Sequence, residues 1–276
     1  MKSVLCAMSL TFAMVLAANA PQPVLADSQI EIAYEEPTSA ELLPIYKQLQ
    51  SLGALHQLQL FMEPLRLPHP IKVRTAECGP NPEPYVPGGP VTICYEVIEQ
   101  VAKLVQQHSR DPAYQAILIN GAFVQTALHN MSLAIFDVLG VPIWGREFDA
   151  ADRLAALIMT QFGEDVMAAT VETTTQIFQW SNRTWTGRDF ASTDSPDAQR
   201  FYNYLCIAYG ASPYDYDYLV RGGTLPQERA ERCGEEYQQI KKAFDLRIMP
   251  YVDPDLLVQA RARRWSLSPS QLGGNG

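Results

Sequence analysis

The sequence predicts a helix-rich α+β protein with a small sheet in its first half. Two observations favour this class. Apolar residues recur at helical spacing over most of the chain, and two short stretches before residue 96 have the character of β-strands. A length of 276 residues fits one large domain with a substantial hydrophobic core.

The first half predicts helix, strand, loop, strand and helix. The apolar residues of the first segment recur at helical spacing, and Gly53 is expected to weaken or divide that helix. The two strand segments alternate or run apolar, and the stretch between them is rich in Gly and Pro. The first helix covers 38–65, the first strand 71–76, the loop 79–90, the second strand 91–95 and the second helix 96–108.

The second half predicts helices only. The longest apolar-periodic segment covers 113–139 and predicts a long helix, which Gly140 and Pro142 end. The polar and aromatic stretch 181–197 predicts a loop, and Pro226 directly precedes the last predicted helix. The remaining predicted helices cover 147–162, 165–180, 198–209 and 227–246.

Both ends of the chain have the composition of segments outside the domain. Residues 1–26 resemble a signal peptide, in which Lys2 precedes an apolar run too short to span a bilayer. Cleavage is expected after Ala26, because Pro21 disfavours the earlier small-residue site. We therefore expect a secreted or periplasmic protein without a membrane span. The expected segments are a signal peptide over 1–26, one domain over 27–265 and a disordered tail over 266–276.

Charge and cysteine content narrow the function classes. The net charge of −9 and the lack of a basic patch argue against a nucleic-acid partner.

Once Cys6 leaves with the signal peptide, an even number of cysteines remains, which in an exported chain predicts two disulfides. Pairing of sequence neighbours would join Cys78 to Cys94 and Cys206 to Cys233. Zinc binding by thiolates is the alternative, and the wide spacings disfavour it.

The predicted long helix contains an altered metallopeptidase motif. In H-E-x-x-H, two His one turn apart bind zinc, and the Glu beside them acts as general base. Here His129 takes the first position, Asn130 replaces the Glu and Leu133 replaces the second His. Leu133 has no lone pair for a metal, and the amide of Asn130 does not accept a proton at neutral pH.

Several further segments resemble, in order and spacing, a family of exported putative metallopeptidases of zincin type. The first matching motif consists of residues 74–79 followed by 93–96, and the motif helix comes next. A G-R-E-E-D-x-x-D pattern then matches residues 145–152 except at Phe148. The resemblance covers nearly all of 40–250. Its C-terminal matches are 199–203, Cys206, 209–210, Pro213, 225–226, 229–230, Cys233 and 236–237.

The resemblance implies a zincin-like fold and a third zinc ligand from the helix after the motif helix. That ligand position falls at Phe148, with Asp152 as the carboxylate behind it. Glu147 or Asp149 would restore one ligand if either served instead. The acidic residues also have a structural interpretation, because carboxylates favour helix N-termini. In that case Asp152 would pair with a buried arginine such as Arg146 or Arg200.

Two functions remain open from the sequence. The first is a catalytically inactive homologue that needs no zinc and has a binding or scaffolding role toward an unidentified protein or peptide. The second is an active zinc peptidase or metal-dependent hydrolase with an altered site. That site would use His129 with Glu147, Asp149 or Asp152. The substitutions at 130 and 133 favour the first.

Overall fold

The computed structural model describes residues 30–80, 85–181, 186–187, 191 and 195–263. The expected signal peptide, its cleavage site and the expected tail over 266–276 lie outside the described residues. Part of the predicted loop over 181–197 lies outside them as well. The described chain is a helix-rich α+β structure with a small sheet near its start, as the sequence predicts.

Three parallel strands form the sheet, in the order β1-β2-β3. The sequence predicted the second and third strands and missed the first, whose four residues are too few for a clear alternation. Its place is set by pairing, since Ile32 lies opposite Val73 in the register of the first two strands. The strands are β1 (Glu31–Tyr34), β2 (Lys72–Ala76) and β3 (Val91–Cys94).

Two short helices connect β1 to β2, where the sequence predicted one helix with a weak point. Helix α1 (Leu43–Ser51) ends just before Gly53, and α2 (Ala54–Phe61) begins just after it. Gly53 has φ +59°, a left-handed conformation that glycine adopts without the strain of a Cβ. The predicted division of the helix is therefore confirmed.

A disulfide closes the connection between β2 and β3. Cys78 and Cys94 are bonded, and the Glu96 carboxylate accepts hydrogen bonds from the backbone N–H groups of Cys78 and Gly79 at 2.9 and 2.7 Å. Parallel strands are usually joined through a helix. Here the described parts of the connection, 77–80 and 85–90, contain no helix, and the predicted pairing of these cysteines is confirmed.

Four helices form the centre of the molecule. Helix α4 contacts the sheet through β3 and also contacts three of the other helices. Its middle is therefore buried on every side, so that all residues from Ala127 to Phe136 lie in the interior. The four helices are α3 (Tyr95–His108), α4 (Pro112–Val138), α5 (Glu147–Phe162) and α6 (Glu164–Trp180).

The last part of the chain packs two long helices against each other and against α5. At their closest point a Cβ on Gly210 would lie 2.3 Å from the Cys233 carbonyl oxygen, so only glycine fits. The predicted Cys206–Cys233 disulfide crosses the same contact and is confirmed. The elements are α7 (Asp197–Ala211), α8 (Asp217–Arg221), α9 (Gln227–Arg247), a 3₁₀ turn (Met249–Tyr251) and α10 (Pro254–Ala262).

The sequence predictions did not include α8 or α10. Helix α10 did have a readable start, because Asp253 caps it by accepting hydrogen bonds from the backbone N–H groups of Asp255 and Leu256, and Pro254 follows directly. Helix α8 is a single short turn of helix without such a signal.

Two disulfides fit a secreted or extracytoplasmic protein, where thiols are oxidised. In the part of the chain that the structure describes, no helix has both the length and the apolar character that a membrane crossing requires.

Alkylation of the denatured mature protein without reductant should modify none of its cysteines. Both pairs are bonded, so no free thiol is available. Intact-mass spectrometry measures the result, and a reduced sample that gains four alkyl groups is the control. Modification at Cys78 or Cys206 in the unreduced sample would contradict the pairing.

Candidate functional site

The altered motif lies in the buried middle of α4. His129 is 5% exposed, and Leu133, one turn further along the helix, is 4% exposed. An imidazole can be buried at low cost only if its N–H groups find hydrogen-bond partners. The partners of His129 therefore decide what this site can do.

The imidazole of His129 pairs with a carboxylate from α5. Its Nδ1 lies 2.6 Å from Oδ1 of Asp152, which is 1% exposed. An ionised carboxylate only accepts hydrogen bonds, so Nδ1 is the donor in this pair. The other ring nitrogen, Nε2, has no hydrogen bond to any described residue.

Arg200 from α7 neutralises the same carboxylate. Its Nε donates to Oδ2 of Asp152 at 2.6 Å, and its Nη2 donates to Oδ1 at 2.8 Å. This two-point contact fixes the guanidinium and the carboxylate in one plane. Nη2 also lies 3.4 Å from Nδ1 of His129. Because both nitrogens donate their protons to Asp152, this distance is not a hydrogen bond between Arg200 and His129.

The structure decides between the two arginines that the sequence offered to Asp152. Arg200 makes the pair, whereas Arg146 donates through Nη1 to Oγ of Ser195 at 3.0 Å. Tyr204, one turn beyond Arg200 on α7, also donates its hydroxyl to Oδ1 of Asp152 at 3.4 Å. The role of Tyr204 was not predictable from the sequence, since no local pattern separates it from the other buried positions of α7.

Electrostatics keep the central carboxylate ionised. Burial by itself raises the pKa of Asp152, but the hydrogen bonds and charge of Arg200 and the bond from His129 outweigh it and lower the pKa below its usual value. Burial would lower the pKa of Arg200, yet its bonds to Asp152 raise it instead. Burial raises the pKa of Tyr204 well above its usual value, so its phenol stays neutral.

Phe148 occupies the space next to the imidazole. Its ring meets the His129 ring edge to face, with 5.1 Å between the ring centroids. Phe148 stands at the start of α5, one turn before Asp152, so both side chains point toward α4. Hydrocarbon from Leu133 and Phe148 therefore lines the positions at which the resemblance implies two further zinc ligands.

The other acidic candidates point elsewhere. Glu147 is exposed at the first position of α5. The Asp149 carboxylate accepts a hydrogen bond from the hydroxyl of Ser195 at 2.6 Å. The structure thus brings His129 and Asp152 together, whereas neither Glu147 nor Asp149 has a contact with His129 among the described residues.

Asn130 has a structural contact with the sheet. Its Nδ2 donates to the backbone carbonyl of Thr92 in β3 at 3.0 Å. An ionised Glu at this position could not make that bond, because a carboxylate has no proton to donate. The amide of Asn130 therefore ties the motif helix to the edge of the sheet.

His108 and one further set of possible metal ligands are engaged in other contacts. The ring of His108 stacks on Trp180 with centroids 4.7 Å apart, and its Nδ1 bonds the Leu104 carbonyl. Among the described residues, the one group of three possible ligand atoms within binding distance is Cys78, Cys94 and Glu96. Its two sulfur atoms are joined in the disulfide, so it is not a thiolate site.

Comparison with known proteins gives one family match. A family model described as "Putative metallopeptidase" matches residues 34–246, which include β2, β3, the motif helix, α7 and nearly all of α9. No curated protein and no solved structure matches the chain significantly.

Proposed function

We propose that this chain, which belongs to the putative metallopeptidase family, is a catalytically inactive member with a binding or scaffolding role. The observation that carries the proposal is the packing of Phe148 against the ring of His129, at the position where the family resemblance implies a zinc ligand. A phenyl ring has no lone pair to offer a metal ion, so this position supplies no ligand.

The donor set does not fit a catalytic zinc ion. Such a site has three protein ligands and an open fourth position for water. His129 offers Nε2, while Leu133 offers nothing. The two oxygens of Asp152 already accept hydrogen bonds from Arg200 and His129, and the charge of Arg200 repels a dication. A zinc ion would therefore have one nitrogen ligand and a competing arginine.

Proton transfer lacks its usual group as well. In the family motif the Glu beside the first His takes a proton from the metal-bound water. Asn130 cannot do so, and its amide is engaged by the carbonyl of Thr92. The substitutions at the base position and at the ligand positions support the same conclusion, because each gives the side chain a role in packing or in hydrogen bonding.

In this proposal the former catalytic residues stabilise the fold. Asp152 of α5 binds His129 of α4 and Arg200 of α7, so one carboxylate joins three helices. Arg200 neutralises the Asp152 carboxylate, and both oxygens accept hydrogen bonds, so the charge can remain buried, whereas an unpaired carboxylate could not. The binding function would then belong to surfaces outside this network.

A metal-dependent hydrolase remains the second candidate, and one observation favours it. Zinc-binding His residues usually donate their other N–H to a carboxylate, and His129 and Asp152 have that arrangement. Nε2 of His129 would be the first ligand, and Glu147 or Asp149 would have to move toward it. The packing of Phe148 against the imidazole is the reason we rank this candidate lower.

Purified mature protein, dialysed against zinc and then against buffer, should contain less than about 0.1 zinc per chain, because a single imidazole binds zinc weakly. Inductively coupled plasma mass spectrometry measures the content. His129→Ala should leave the zinc content and any peptidase activity unchanged, and should lower stability modestly through the lost bond to Asp152. A His108→Ala variant provides the matched control.

One zinc per chain that disappears in His129→Ala and persists in His108→Ala would overturn the proposal. A peptidase activity that depends on His129 would do the same.

A further inference from the structure

Helices α4, α5 and α9 enclose an apolar groove of about 330 Å³ that the motif network does not use. The groove extends over about two turns of α5 and more than two turns of α9, roughly 10 Å at 1.5 Å per residue. Trp144 at its edge is 94% exposed, so apolar surface remains open to water there. Its main lining residues are Phe136, Ile143, Leu154, Leu157, Ile240 and Phe244.

Arg153 joins this groove to a second, polar cavity of about 490 Å³. The two spaces follow each other along one face of α9, because Arg229 and Glu236 line the polar cavity and Phe244 lines the groove. A ligand could therefore place its apolar part in the groove and its polar end beside Arg153.

The charges at this junction favour an anion. Arg153 is half-buried, and no described residue forms an ion pair or hydrogen bond with it. In the polar cavity, by contrast, Arg229 is neutralised by a two-point contact with Glu236 at 2.8 and 2.9 Å. Arg247 lies along the groove and is also without an ion pair among the described residues. An unpaired guanidinium beside apolar surface is a complementary partner for a carboxylate.

A second observation concerns the polar cavity beside Arg153. Asn203 lines the polar cavity and is only 7% exposed, yet its Nδ2 has no hydrogen-bond partner. Buried amide N–H groups are almost always paired, so an unpaired one indicates a missing acceptor. Carboxylate oxygens and the water molecules around them are such acceptors.

We propose that the groove binds a medium-chain alkyl carboxylate, with the hydrocarbon chain between α5 and α9 and the carboxylate on Arg153. The groove is elongated and lined by aliphatic and aromatic side chains, which fits an unbranched chain of about ten carbons better than a compact or polar ligand. This site is distinct from the His129–Asp152 network and does not depend on whether zinc is bound.

Decanoate titrated into the full mature protein should bind with one site per chain, measured by isothermal titration calorimetry. Octanoate should bind about tenfold more weakly, because two methylenes fewer are buried. Arg153→Gln should weaken decanoate binding at least tenfold, whereas Arg232→Gln, at an exposed arginine of α9 outside both cavities, should leave it unchanged. Circular dichroism verifies that each variant is folded.

A second variant tests the groove without changing the arginine. Ala243 is an exposed lining residue on α9, and Ala243→Phe should fill the groove and weaken decanoate binding at least tenfold. The proposal would be overturned by no decanoate binding to the native protein, by undiminished binding to Arg153→Gln or Ala243→Phe, or by decanol binding as tight as decanoate. Saturable binding of a peptide with an apolar C-terminal residue, without binding of decanoate, would also reject the fatty-acid ligand.

Discussion

Replacement of Arg200 by Met should lower the free energy of unfolding by about 3–5 kcal/mol. The substitution keeps an unbranched apolar stem but leaves Asp152, which is 1% exposed, with hydrogen bonds from His129 and Tyr204 and without its guanidinium partner. A buried carboxylate that loses its cation is costly because the protein cannot solvate it as water does. Urea denaturation at neutral pH, followed by circular dichroism, measures the change.

The matched control is an arginine in an exposed ion pair. Arg221 pairs with Asp217 on α8, and both side chains are largely exposed. Arg221→Met should therefore change stability by less than about 1 kcal/mol. Equal effects of the two substitutions would show that the buried pair has no special role.

The pH dependence of the Arg200→Met effect follows from the lowered pKa of Asp152. Such a group adds stability above its unfolded pKa of about 3.9, and the contribution is lost as the pH falls through the folded value. Without Arg200, burial is the main influence and raises that pKa, so protonation relieves the strain of the buried charge. The destabilisation by Arg200→Met should therefore be smaller at pH 4 than at pH 7.

Removal of the Cys206–Cys233 disulfide should cost about 3–4 kcal/mol, since it closes a loop with a sequence separation of 27 residues. The double variant Cys206→Ala/Cys233→Ala keeps both sites apolar, so the main loss is the constraint on the unfolded chain. Thermal and urea unfolding should both show the decrease. The second pair, Cys78–Cys94, closes a shorter loop and should cost slightly less when replaced in the same way.

A loss below about 1 kcal/mol for the Cys206–Cys233 variant would contradict this expectation. It would mean that the close packing at Gly210 holds α7 against α9 without the cross-link.

Most helices were predictable from the sequence because their evidence is local. The helix of the motif was expected over 113–139 and is found at Pro112–Val138, since proline and glycine mark its ends and apolar spacing marks its length. Strand β1 was not predictable in this way. Its four residues become a strand only by pairing with β2, from which they are separated by two helices.

The candidate site was likewise predictable from the sequence only in part. Asn130 cannot act as a base, and Leu133 and Phe148 cannot ligate a metal, wherever these residues lie, so the sequence was sufficient for that part. The choice of Arg200 over Arg146 as the partner of Asp152 required the packing of α7 against α5. The two arginines lie on opposite sides of Asp152 in the sequence, and no local pattern records which of them crosses to it.

The sequence by itself determined the helix-rich class, the cysteine pairs and the missing donors of the motif, because periodicity, loop closure and functional-group chemistry are properties of residues and their spacing. The tertiary structure alone decided that Phe148 meets His129, that Arg200 neutralises Asp152 and that Arg153 lies between a groove and a cavity. Each of these features joins side chains from different helices, so each depends on how the helices pack against one another.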